Sequence, residues 1–103
     1  MARVLILFMQ PNGLPREDRG TWAAEVAASL EPLPGVIAVS LSRLAPSRDF
    51  ARHWDWLLEL TTPDTDAAQA LLRSPFVRDL LLDFRLLGTK PRVVLTAGAD
   101  ADA

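Results

Sequence analysis

Residues 3–10 (RVLILFMQ) carry apolar side chains on consecutive positions rather than on alternate ones. A strand with one wet face alternates apolar and polar residues, whereas a run like this needs cover on both faces. Val4, Ile6 and Phe8 share one side, and Leu5, Leu7 and Met9 the other. Any fold that accepts this strand must sandwich it between two layers. The run is far shorter than the roughly 18 apolar residues of a membrane span. It also lacks a small-residue cleavage site, so it reads as a strand and not as a leader.

The rest of the chain supplies one of those layers. Pro11-Asn12-Gly13-Leu14-Pro15 breaks the strand with strong turn chemistry. Pro15 can open a helix, and Glu17 and Asp18 put acids in its first turn. That helix is predicted to run to about residue 30, with Trp22, Val26 and Leu30 in one stripe beside Ala23 and Ala27. The segment EPLPG at residues 31–35 ends it. Residues 36–44 (VIAVSLSRL) read as a second strand, residues 45–52 as a polar connection, and residues 54–60 (WDWLLEL) as a third strand. Thr62 or Asp64 is the candidate cap of a helix over residues 67–73, and Ser74-Pro75 restarts the chain. The next helical stretch covers about residues 76–86, with Phe76, Leu80, Asp83, Phe84 and Leu87 predicted near one side and Gly88 as its cap. Residues 91–97 (PRVVLTA) form the last strand, and residues 98–103 a frayed, flexible tail.

The order β-α-β-β-α-β is that of a ferredoxin-like α+β fold, an antiparallel four-stranded sheet with its helices on one face. Its other face is left bare. With 103 residues, half of them apolar, the chain builds one domain with a real core, yet a domain of this size is marginally stable alone. Face-to-face pairing of two sheets about a two-fold axis removes the oily side of the first strand from water. The expected assembly is a homodimer, a dimeric α+β barrel; cover by the tail is the alternative.

The turn Asn12-Gly13-Leu14-Pro15-Arg16-Glu17-Asp18, a helix bearing Trp22, and the closing Leu33-Pro34-Gly35-Val36 resemble the first half of EthD-type proteins. Ser74-Pro75-Phe76, the stretch from Asp79 to Arg85, Leu86-Leu87-Gly88 and a final short strand resemble their second half. The wider superfamily of dimeric α+β barrels includes stress-responsive barrel proteins, polyketide cyclases, olivetolic acid cyclase and cofactor-free antibiotic-biosynthesis monooxygenases. The resemblance implies a homodimer with a pocket between helices and sheet in each subunit. The chain departs from these proteins in its histidines. Glu25, Val26 and Ala27 occupy the region where EthD-type proteins often carry one, and the two histidines of the cyclase fall near Trp56 and Val77. The cyclase mechanism therefore does not transfer directly.

The most unusual local feature is Arg52-His53-Trp54-Asp55-Trp56. Trp54 and Trp56, two apart on a strand, are predicted to share a face, where Trp22, Phe76 and Phe84 can join them around a flat ligand. Plain core packing accounts for the same rings. His53 is the only histidine and the natural acid/base near neutral pH, or else an exposed residue with no role. Arg85 either reaches a ligand oxygen or lies on a solvated helix face. Gln10 and Asn12, beyond the first strand, can hydrogen-bond a substrate carbonyl or serve only the turn. Asp55 and Glu59 are expected opposite the tryptophans, paired with Arg3, Arg43 or Arg92 across strands or subunits.

Several function classes drop out. No cysteine is present, which removes disulfides, thiolate metal sites and a Cys nucleophile and agrees with a cytoplasmic setting. One histidine argues against a His-rich metal site, and no glycine-rich phosphate loop occurs. A net charge of -2 offers no basic stripe for nucleic acid. The aromatic residues taken with the resemblance imply a small enzyme without cofactor or metal, acting on an aromatic or polyketide-like substrate as a cyclase or oxygenase. Trp22, Trp54, Trp56, Phe76, Phe84, Gln10 and Asn12 would line its site, with His53 and Arg85 as candidate catalytic groups. The alternative is a non-catalytic ligand-binding or accessory subunit of the same fold.

Overall fold

The structure, a computed structural model, describes residues 1–45 and 54–97. Four strands, β1 (Ala2–Phe8), β2 (Ala38–Arg43), β3 (Trp56–Thr62) and β4 (Arg92–Ala97), form one sheet in the order β2-β3-β1-β4. All three pairings are antiparallel. The strand with two oily faces thus takes a central position, which also satisfies its backbone on both edges. This is the ferredoxin-like α+β arrangement expected from the order of elements.

Register decides which side chains share a face. Val4 pairs with Leu60 and Leu95, Ile6 with Leu58 and Val93, and Phe8 with Trp56. Ala2, Val4, Ile6, Phe8, Leu58 and Leu60 are fully buried beneath the helices. Each buried aliphatic or aromatic side chain of this size contributes about 1.5–3 kcal/mol. On the other face Leu5 and Leu7 stand beside Leu57 and Val94, half-buried or exposed.

Helix α1 (Arg19–Leu30) is entered through a 3-10 turn at Arg16–Asp18, after Pro15 at φ -55°. Ala23 and Leu30 are buried, and Trp22, Val26 and Ala27 pack against the core, the stripe expected. Helix α2 (Thr65–Arg73) is capped by Asp64, whose Oδ1 accepts the Ala67 N–H at 2.8 Å. Ser74 then joins α2 to α3 (Pro75–Leu86). Its hydroxyl donates to the Leu71 carbonyl and accepts from the Val77 N–H, while Pro75 sits where a missing N–H costs nothing. Gly88, at φ +78°, ends α3. No helix among the described residues is long and apolar enough to cross a membrane.

Three expectations need correction. Strand β3 begins at Trp56 and not at Trp54. The ladder of β1 stops at Phe8, the partner of Trp56, so Trp54 has no strand position opposite it, and the alternation that put both tryptophans on one face does not reach it. On α3 the buried residues are Val77 and Phe84, with Leu80 and Leu81 packed on the core. Phe76, one residue round the helix, is 44% exposed and turns away from Phe84. Arg43 lies opposite Trp56, on the helix-covered face, so it cannot pair across strands with Glu59 on the other face.

Candidate functional site

The end of the sheet where β1 finishes and β3 begins gathers most of the aromatic side chains. Phe8 comes from β1, Trp56 from β3, Trp22 from α1 and Phe84 from α3. Trp22 stands edge-on to Phe8 at 5.6 Å between centroids and lies 5.6 Å from Phe84; Phe8 and Phe84 are 4.9 Å apart. Such pairs add about 0.5–1.5 kcal/mol each beyond the area they bury. Phe8 and Phe84 are core, whereas Trp22 is only half-buried and walls the cluster on its outer side.

Asp55 ties this end together through the backbone. Its N–H donates to the Phe8 carbonyl at 2.9 Å, its carbonyl accepts the Leu44 N–H at 2.8 Å, and its Oδ2 accepts the Gln10 N–H at 2.9 Å. The carboxylate serves a backbone N–H here, a structural use that the strand pattern did not reveal.

Among the described residues, two polar atoms at this end are buried with no partner: the Trp56 Nε1–H and the Gln10 Oε1. Trp56 is only 7% exposed. Gln10 lies two residues past Phe8, the register partner of Trp56. Leaving a buried donor or acceptor unpaired costs about 1–3 kcal/mol, and folded proteins leave few of them. Chemically they are one donor and one acceptor at the end of the sheet that carries the aromatic cluster. The Arg43 guanidinium lies 5.4 Å from the centroid of the Trp56 ring, stacked as a cation over its π-face. Sequence reading did not assign Arg43 to this cluster. Its signal is the parity of β2, which becomes legible only once the β2–β3 register is known.

Of the other expected site residues, Arg85 and Phe76 lie elsewhere. Arg85 is exposed and lines an outer cleft of about 460 Å³ on α3, with Arg78, Asp79 and Leu82. Phe76 lines a second, mostly apolar cleft of about 510 Å³ with Leu33, Ala67, Leu71 and Pro75. Asn12 donates its N–H to the Leu87 carbonyl at 3.0 Å, and its side chain abuts Gly88 so closely that a Cβ there would collide with it. Trp54 is half-buried just ahead of β3. His53 lies outside the described residues. Among the described residues no cluster of three or more His, Asp or Glu side chains converges as a metal site.

No protein-family model matches the sequence, and a search of curated proteins finds no match. Solved structures do. An Arabidopsis thaliana protein matches at a TM-score of 0.76 with 14% identity, covering 97% of this chain and 97% of that one. An EthD family protein from Bacillus halodurans matches at 0.69 with 16% identity, covering 92% and 95%. SnoaB, described as a cofactor-independent oxygenase from Streptomyces nogalater, matches in a mutant form at 0.62 with 20% identity, covering 96% and 94%. Two further matching structures are described as dimeric, with ferredoxin-like architecture. The chain shares the ferredoxin-like α+β fold of these proteins over almost its whole length, and they include the kinds that its sequence resembles.

Proposed function

We propose that the chain is a small cofactor-independent enzyme that binds an aromatic or polyketide-like substrate at the Trp22–Trp56–Gln10 end of the sheet and cyclises or oxygenates it. The observation that carries this reading is the pair of buried, unpartnered polar atoms, Trp56 Nε1–H and Gln10 Oε1, beside the aromatic cluster. Ligand oxygens would supply the missing partners. Substrates of this class are intrinsically reactive, so excluding water and holding one conformer supplies much of the rate. The likeness in fold to an oxygenase described as cofactor-independent supports the same choice. His53, next to Trp54 in the chain, is the proposed acid/base; Arg85, Phe76 and Asn12, placed as they are, have no part in it.

The working unit in this proposal is a homodimer closed through the face of Leu5, Leu7, Leu57 and Val94, an apolar patch of the kind that monomers seldom leave in water. Turnover assays on a panel of phenolic polyketides, with light scattering to give the mass in solution, test both parts. The expected result is conversion of at least one substrate by a species of twice the chain mass. His53→Ala should lose most of the turnover, and Trp56→Phe should lose about tenfold in kcat/KM with the aromatic wall kept. Saturable binding without turnover would favour the accessory-subunit reading instead.

A further inference from the structure

We infer that Arg43 and Trp56 form an anion-recognising wall of this site, so that its ligand is a planar acid — a phenolate, an enolate or a ring bearing a carboxylate — and not a neutral polycycle. The inference rests on the proposed site and adds the charge of what occupies it.

Arg43 is the last residue of β2, an edge strand, and its register partner is Trp56. Its side chain is exposed at the rim while its guanidinium stacks on a ring that is 7% exposed. The cation–π contact with the ring uses none of the guanidinium N–H groups, which can donate in a fork that fits an oxyanion. The ring beneath supplies a further donor, the Nε1–H with no protein acceptor. A positive charge and an orphan donor on one indole both call for an electron-rich oxygen. A neutral hydrocarbon surface would leave the donor unsatisfied.

The surroundings sharpen the assignment. The chain carries a net charge of -2, so its overall field does not draw anions, and a local cation has to do so. Asp55, the acid next to Trp56, commits Oδ2 to the Gln10 N–H. The Gln10 Oε1 can only accept, so it suits a hydroxyl on the same ligand. Together the groups read a hydroxyl near an acidic oxygen, the pattern of an enolised β-dicarbonyl or a hydroxylated aromatic acid.

Two fluorescent probes with the same ring system test this: anilinonaphthalene sulfonate, whose sulfonate stands in for the oxyanion, and neutral N-phenylnaphthylamine. Titrated into the full chain, the sulfonate should bind about tenfold or more tightly than the neutral probe, and the margin should shrink with added salt. Arg43→Gln should erase that margin by weakening the sulfonate far more than the neutral probe, while Arg43→Lys should retain part of it. Arg78→Gln, on the outer cleft of α3, should leave both affinities alone. If both probes bind and Arg43→Gln leaves their ratio unchanged, the charge assignment is wrong while the site survives. If neither probe binds saturably, the site and this inference fall together.

Discussion

The two ends of the central sheet are finished in different ways. At the end where β1 begins, the buried Thr62 hydroxyl donates to the Ala2 carbonyl at 3.2 Å and lies 3.0 Å from the Asp64 carbonyl, and Asp64 caps α2. At the opposite end, Trp56 and Gln10 each bury a polar atom that has no partner among the described residues. The same two strands supply both ends, so the contrast does not arise from poor packing of the sheet. In the function proposed above, it separates a place where polar groups close the fold from one where they are held open for a ligand, as in a site that gives up stability for binding.

The comparison can be broken by substitution. The largest effect is expected at Phe8, fully buried between Trp22 and Phe84. Phe8→Ala should lower the unfolding free energy by about 3–5 kcal/mol in a denaturant titration and disperse the rings, because the cavity left behind cannot collapse. At the closed end Thr62→Val should cost about 1–3 kcal/mol, since the Ala2 carbonyl loses a side-chain donor, and probe binding should not change. The smallest and most informative effect is at the open end. Gln10→Met removes an acceptor that has no partner, so stability should hold or rise by up to about 1 kcal/mol while ligand affinity falls. Similar polar-to-apolar changes would then act with opposite sign on stability at the two ends. A loss of stability at Gln10 equal to that at Thr62 would make the open end ordinary core.

Much of this architecture was legible in the residues. Consecutive apolar positions in residues 3–10 predicted a strand, and β1 is that strand, central in the sheet with one face covered by the helices. Asp64, Ser74-Pro75 and Gly88 marked helix boundaries because capping and turn chemistry are local. What escaped depends on pairing. The start of β3 is fixed by where β1 ends, and the side that Arg43 faces by the β2–β3 register; neither is written in either segment alone. On α3 the phase was ambiguous, because Phe76, Val77, Leu80, Leu81, Leu82 and Phe84 offer more than one apolar stripe, and only packing against the sheet selects the one through Val77 and Phe84. Trp22, Trp56 and Gln10 were identifiable as candidates by residue type. Their convergence at one end of the sheet was not.

A crystal structure of the chain soaked with a dihydroxyanthraquinone tests the central claim most directly. The expected result is a ring seated against Trp22, with one oxygen about 2.9 Å from Trp56 Nε1 and a hydroxyl on Gln10 Oε1. Density for the compound in the outer clefts of α3 alone, with both orphan atoms still unpaired or bonded only to ordered water, would contradict it.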